Sequence, residues 1–563
     1  MKKILAMLLA LVMVFGLVAC GNADTDKPVE PSNQVQDTTE DQTDVVVGAG
    51  ETEAEKGTPV DRQYEYGTLV LGTTEAGGGF DRVGTHGNQS SLLCLQNVWD
   101  SLFIINSDTL EVEPLMVKEY EWVDDTTLHI VLHEGIVSES GEPITAEDVI
   151  YSAERFVAEK SRMGTYYVAY DFERMWAELS DPDTLDFNWY YKYPYGPGLS
   201  YLTFAVFPKD WATEGAGAED AAWWDAPDAT GPYTCVENVD GSHVSFQLRD
   251  SYYGDTTGYP TSATIKYYTE QTALYTDYST GAIDAAFGLA SGDVQNLMNG
   301  QLPHTAYKIA AKNDVYAMTL CHYTEYFQDQ NVRLAIAHAI DAEGVTAAAF
   351  GVLGKAATSV LPAGVNYYVN VGQYEYNVEL AKEYLAKSPW PNGFDCMTVC
   401  TNDAPTVAIA TAVQGYLSQI GINLSFEAYG VPIAVGEWMV PGKVDLGFKN
   451  CMEGSPSLDP DQIFNTIGYD TTNASAAISK DPNDAFNTAL TATLQHIDPA
   501  IRQENYTFIQ EYLKETAIQI PLVEAFYGYC YRNDYITDFN VTSPSTPHLR
   551  YCHIVDEATY NGQ

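Results

Sequence analysis

The chain has 563 residues, 45% of them hydrophobic, and carries 77 Asp and Glu against 28 Lys and Arg, a formal net charge of −49. So large a negative charge excludes nucleic acid and anionic membrane surfaces as binding partners, and its direct consequence is solubility. The length exceeds what one simple core fills, so two or more lobes are expected.

The N-terminal segment comes first. Met1, Lys2 and Lys3 supply positive charge, and residues 4–18 are apolar apart from Gly16. This run is short of the roughly 20 apolar residues of a membrane span. Leu17-Val18-Ala19-Cys20 reads as a lipobox, in which small residues precede a cysteine whose thiol takes up diacylglycerol. Residues 1–19 are then a lipoprotein signal peptide, whose cleavage leaves Cys20 as the lipidated N-terminus. An ordinary signal peptide or a short membrane anchor is the alternative. Two or more acyl chains, palmitate among them, hold a protein on a bilayer far better than one. The expected location is the extracytoplasmic face of the cell membrane, lipid-anchored. Residues 20–63 then form an acidic tether, with eleven acidic and three basic residues in 21–63 and no aromatic before Tyr64. Such a stretch buries too little apolar surface to order itself.

The remainder alternates strand-like and helix-like segments. Residues 66–73 read as a strand, 90–102 as a helix and 127–133 as a strand. Residues 142–156 contain a helix start, at Thr145 with Asp148 three residues later, a capping-box pattern. Residues 245–249 and 264–268 read as strands. Asp329 caps a helix carrying Val332, Ala335, Ile336, Ala339 and Ile340, and Asn377 precedes another over 378–387. A helix over 407–420 closes at Gly421 and feeds a strand at 423–427. Asp498-Pro499 places a cap and a first-turn proline before a helix ending near Glu515, and a strand follows at 518–523. The mixture is α/β. Cys396 and Cys400 share a face of one expected strand roughly 13 Å apart, too far for a disulfide. With no CxxC pair among the cysteines, they read as small apolar residues.

The motifs add a more specific reading. Asn97-Val98-Trp99-Asp100-Ser101-Leu102 is followed by a block from Pro114 to Trp122, by Leu132-His133-Glu134-Gly135 and by Gly141-Glu142-Pro143-Ile144-Thr145-Ala146-Glu147-Asp148-Val149. Thr230-Gly231-Pro232-Tyr233, Ser279-Thr280-Gly281-Ala282-Ile283-Asp284, residues 332–341, 351–362 and 417–422, and Asp459-Pro460-Asp461 continue the series. In this order they resemble the bacterial extracellular solute-binding proteins of family 5, the oligopeptide- and dipeptide-binding proteins of ABC importers. The resemblance implies a two-lobed α/β fold like that of periplasmic binding proteins (type II, the large cluster with an extra subdomain in lobe I), hinged at two crossovers. With crossings near Glu270 and Pro521, lobe I is 64–270, with its extra subdomain at about 86–180, plus a return at 522–563. Lobe II is 271–521.

No Gly-x-Ser-x-Gly elbow, His-Glu-x-x-His or P-loop is present, so no catalytic residue, cofactor or metal is expected, and the chain is not an enzyme. His129 and His133 lie on one strand without helical ligand spacing. The expected task is capture of oligopeptides in an interlobe cleft and their delivery to ABC permease subunits, by a monomer. By resemblance, an acidic residue just before Asp459-Pro460-Asp461 pairs with the ligand ammonium. Glu453 is the nearest candidate, with Lys449, Asn450 and Cys451 beside it. The usual Trp and Asp of that segment are missing. Among the 40 tyrosines, Tyr166, Tyr167 and Tyr170 fall where peptide-binding members contribute an aromatic. Asn366, Tyr367 and Tyr368 follow a Leu-Pro-x-Gly segment that approaches the cleft, and the loop from Glu75 to Phe80 resembles a cleft lining. Aromatics serve peptides and sugars alike. An oligosaccharide ligand, or a lipoprotein that senses a peptide pheromone, are the alternative readings.

Overall fold

The computed structural model describes residues 46–49, 62, 64–74, 96–106, 111–158, 175–179, 181–216, 223, 226–321, 324–438, 440, 442–451, 459–461, 464, 485–542 and 546–561. Ten strands form the main sheet: β1 (Val46–Ala49), β2 (Thr68–Thr73), β3 (Tyr233–Val239), β4 (His243–Leu248), β5 (Ser262–Tyr267), β6 (Ala285–Phe287), β7 (Thr305–Leu320), β8 (Gly354–Ala356), β9 (Leu446–Cys451) and β10 (Gln519–Arg532). Their order is β1-β7-β10-β6-β2-β5-β4-β3, with β8 also on β10 and β9 also on β7. β2 is central because it is apolar on both faces: Leu69 and Leu71 enter one core cluster and Val70 enters another. It pairs in parallel with β5 and β6, as buried two-faced strands do.

Packing divides this sheet into two bodies. In the first, Leu69, Phe246 and Ile265 pack with Leu128 and Trp189 of a separate four-stranded sheet (Val117–Asp124, Thr127–Leu132, Asp186–Tyr191, Met175–Ala177). Val70, Leu274, Val294 and Cys530 cover the other face. In the second body, Met318, Leu320, Ile336, Cys396, Val413 and Leu522 form one cluster, and Ala317, Leu361, Phe486 and Tyr506 belong to a further one. β7 and β10 belong to both bodies. Ala306, Ala310, Tyr527 and Tyr529 pack in the first, Met318, Leu320, Ile520 and Leu522 in the second.

The transition coincides with a break in the ladder. The β7–β10 register shifts between Ala311 and Asp314, and again between Tyr316 and Ala317, which faces Pro521. Asn313 takes a left-handed φ of 53° at the first shift, a conformation Asn tolerates better than most residues. Proline cannot donate to a ladder and belongs at such irregularities. β1 and β6 pair on one side of the break, β9 and β8 on the other.

Local signals explain the helices. Thr145 N–H donates to Asp148 Oδ2 at 2.7 Å, the reciprocal bond of a capping box. The helix occupies Ala146–Ala158, directly after the start expected at Thr145, and Pro143 and Ile144 before it belong to a β-bridge loop. Asp329, Asn377 and Asp498 each accept backbone N–H bonds in the first turns of Gln330–Ala339, Val378–Ala386 and Pro499–Thr516. The helix expected over 407–420 runs from Ala404 to Ser418, because Asp403 caps it and Pro405 sits in its first turn. Gly421, at φ 83°, follows its end. Of the helix expected over 90–102, residues 96–98 are helical and 99–102 are not. There the backbone is committed elsewhere: Asp100 N–H donates to Thr230 Oγ1 at 3.2 Å and Val206 N–H to Asp100 O at 2.9 Å. The Thr230-Gly231-Pro232-Tyr233 turn presses on the same segment. Gly231 N–H donates to Val98 O at 2.7 Å, and a Cβ on Gly231 would stand 2.9 Å from that oxygen, so no larger residue fits.

Cys396 and Cys400 lie in Asp395–Thr401, parallel to Asn423–Tyr429, and both are buried free thiols. Cys321, Cys530 and Cys552 are likewise free and buried, and Cys235 is half-buried.

His548 is 2% exposed and its Nδ1 accepts the N–H of Arg550 at 3.2 Å. Burial, then the Arg550 charge, holds its pKa well below the ordinary 6.5. Below about pH 6.5 the unfolded chain takes up a proton that the folded chain refuses. Stability therefore falls as pH drops through that value and is undiminished above it. His548→Gln is expected to flatten this fall. Unfolding midpoints of both proteins on either side of about pH 6.5 check it, and an equal decline in both would clear His548 of the effect.

Candidate functional site

The two bodies meet where β7 and β10 change register, and the residues gathered there are the candidate site. Val315 of β7 faces Cys451 of β9 on one side and Glu524 of β10 on the other, and Glu524 faces Lys355 of β8. Four strands thus place one cross-sheet row at the junction. Glu524 is 2% exposed in a strand otherwise built of apolar residues and Gln519, Gly528 and Arg532. It accepts the N–H of Ala363 at 2.9 Å and pairs with Lys355 Nζ at 3.2 Å. Burial raises its pKa, and Lys355 opposes the rise. The Lys355 side chain is about half exposed, so this row presents a cation held in place by a buried acid.

The segment that supplies Ala363 continues into Asn366, Tyr367 and Tyr368, all half-buried. Tyr367 has a left-handed φ of 64°. Its hydroxyl accepts from Arg502 Nη1 at 2.9 Å, its ring lies 4.7 Å from the guanidinium, and its carbonyl accepts from Gln510 Nε2 at 2.9 Å. The Tyr368 hydroxyl lies 2.6 Å from Thr358 Oγ1. Tyr367 is thereby tied to a buried ion pair. Arg502 Nη2 meets Asp459 Oδ2 at 2.7 Å, both side chains almost wholly buried, and Tyr506 donates to Asp459 Oδ1 at 3.1 Å. Burial lowers the Arg502 pKa, but Asp459, Tyr506 and Tyr367 together outweigh it, and the net shift is upward.

Lys449, Asn450 and Cys451 are the last three residues of β9, opposite Ala317, Tyr316 and Val315. The strand therefore carries the chain towards the junction just before Glu453. Glu453 itself, Tyr166, Tyr167, Tyr170, Glu75, Phe80 and Cys20 lie outside the described residues. Sequence reasoning missed Glu524 and Lys355. The available signal was a single acid in a long buried strand. His129 sits beside Asn188 and Asp186, at 3.1 and 3.5 Å. Among the described residues no group of three or more His, Cys, Asp or Glu is placed to hold a metal ion.

Two α/β bodies joined by a pair of shared strands define a two-lobed fold of the periplasmic-binding-protein kind. The chain belongs to the bacterial extracellular solute-binding proteins, family 5, whose middle region matches residues 111–475, more than half of the sequence. These are solute-binding proteins rather than enzymes. A Brucella ovis protein whose name describes it as an ABC transporter peptide-binding protein is 24% identical over 401 residues, 68% of this chain and 72% of its own. Two solved structures share the fold at 18% identity. The dipeptide-binding protein of Pseudoalteromonas sp. SM9913, in complex with Met-Leu, has a TM-score of 0.72 and is covered over 87% of this chain and 100% of its own. NikA of Brucella suis, in complex with Fe(III)-EDTA, has a TM-score of 0.73 with the same coverages. No helix among the described residues is long and apolar enough to cross a membrane.

Proposed function

We propose that this protein captures oligopeptides between its two bodies and hands them to the permease of an ABC importer, acting as a monomer held at the extracytoplasmic face of the membrane by a lipid on Cys20. The observation that carries this reading is the junction itself. Two packed bodies share β7 and β10, and a partly exposed cation and the end of β9 gather at the break between them. A solute that touches both bodies favours their closed arrangement by its differential affinity for it. A peptide suits such a site because its main chain offers paired donors and acceptors along its length. The name of the Brucella ovis relative and the Met-Leu ligand of the Pseudoalteromonas protein support the peptide class. The packing clusters favour a first lobe limit inside β7 over one at Glu270, because Leu274, Ile283 and Val294 pack with Val70 of the first body, whereas Pro521 lies inside β10 at the second register shift. Glu453, two residues beyond β9, is proposed to meet the peptide ammonium, and Lys355 is suited to its carboxylate.

Native mass spectrometry of the protein purified from its own cells tests the ligand class. A heterogeneous set of peptide masses is expected. Bound species spaced by a hexose unit would replace the peptide reading with an oligosaccharide one. In the same measurement Glu453→Gln is expected to lose free-amine peptides more than N-acetylated ones, and equal losses would remove Glu453 from the site. Cys20→Ala is expected to move the protein from the membrane fraction to the soluble one, and unchanged membrane retention would refute the anchor.

A further inference from the structure

We infer that the Tyr195–Tyr201 segment of the first body is a clasp for the second, holding the two bodies together even without solute. The inference rests on closure of the two bodies and not on which solute they take. Asp461 is fully buried. The Tyr201 hydroxyl lies 2.9 Å from its Oδ1 and 3.1 Å from its Oδ2, and the Tyr195 hydroxyl donates to Oδ2 at 3.3 Å. Both tyrosines are buried in the first body's cluster with Trp189 and Phe204, their rings stacked at 5.8 Å. Asp461 is anchored on the other side: its N–H donates to Asp459 Oδ1 at 3.2 Å, and Asp459 is held by Arg502 and Tyr506 of the second body.

A second, independent contact lies beside the first. Gly196 N–H donates to Leu494 O at 3.1 Å. A Cβ on Gly196 would stand 2.4 Å from Arg502 Nε and 2.5 Å from His496 O, so the two bodies approach here to a distance that only glycine allows. Ile105 of the first body also packs among Leu490, Phe486 and Tyr506 of the second. None of these residues lies in β7 or β10, so the clasp acts apart from the shared strands. Hydroxyl-to-carboxylate bonds are charge-assisted and stronger than neutral ones, and breaking them exchanges each for a bond to water. The net gain therefore enters the balance between open and closed arrangements directly.

The test uses the full chain stripped of co-purified solute, measured by small-angle scattering. Tyr195→Phe with Tyr201→Phe keeps both rings and removes both donors. Gly196→Ala separates the surfaces sterically and serves if the double variant fails to fold. Either is expected to lower the closed-to-open ratio about tenfold, read as a larger radius of gyration. A scattering curve identical to that of the parent for the variants that fold would overturn the clasp. Adding a tryptic digest of casein to the parent reports separately on the peptide reading. Absence of bound peptide masses in the native mass spectrum of that mixture would count against peptides and leave the clasp standing.

Discussion

Asp459→Ala is expected to destabilise the second body by about 3–5 kcal/mol, the cost of leaving one member of a buried ion pair without its partner. The Arg502 guanidinium donates to Thr493 O, Tyr367, Asp459 and Tyr506, at 3.1, 2.9, 2.7 and 3.3 Å. Removing the carboxylate leaves a nearly inaccessible cation with only neutral acceptors. Arg502→Met removes the charge and keeps much of the volume, but leaves Asp459 buried without its countercharge. The double variant Asp459→Leu with Arg502→Met is expected to recover most of either loss, because exchanging both charges for apolar groups is often close to neutral. Denaturant midpoints of the four proteins form the cycle. A loss below about 1 kcal/mol in both single variants, the range of surface pairs, would show that the pair contributes little.

An expectation of the same size attaches to Asp100, which joins segments far apart in the chain. Asp100 is 1% exposed. Its carboxylate accepts from Tyr252 at 2.9 Å, from Tyr253 at 2.8 Å and from Arg550 Nη2. Arg550 also donates to the Tyr252 hydroxyl at 2.7 Å. Burial, then Asp100, raises the pKa of both tyrosines, which favours the protonated, donating hydroxyl. Asp100→Ala leaves Arg550 buried without its acid and should cost about 3–5 kcal/mol. Asp100→Asn keeps an acceptor and should cost less. The local readout is protease sensitivity of the C-terminal strands Ile536–Thr542 and Thr546–Ile554. If those strands are cut no faster than in the parent, Arg550 is held by its other contacts.

Much of the local structure was legible because its causes are local. Asp329, Asn377 and Asp498-Pro499 mark helix starts through bonds within three residues, and the capping box at Thr145 and Asp148 works over the same range. β10 was legible only at its start. The sequence reads as a strand at 518–523, but the strand runs on through Phe526, Tyr527, Tyr529 and Cys530 to Arg532. Being apolar on both faces, that stretch shows no two-residue alternation. β7 was not foreseen at all, because Lys308, Asn313 and Asp314 interrupt its apolar pattern, and all three are buried by tertiary contacts. The site was harder still. Tyr367 was singled out as a ligand contact, but nothing in the sequence signalled that its hydroxyl is bonded to Arg502, 135 residues away. The Asp461 pairing with Tyr195 and Tyr201 spans more than 250 residues. No periodicity or spacing encodes contacts of that reach.

The buried thiols bear on where such a chain can last. Burial pushes Cys321 and Cys396 up to about 12 and raises Cys400, Cys530 and Cys552 as well. At a pKa of about 12, roughly one molecule in 10⁵ carries the reactive thiolate at neutral pH. Enclosure by the cores, rather than pairing into disulfides, thus gives these sulfurs their resistance to oxidants and to thiol exchange. A protein exported from the reducing cytosol can then keep unpaired cysteines without scrambling or cross-linking to its neighbours.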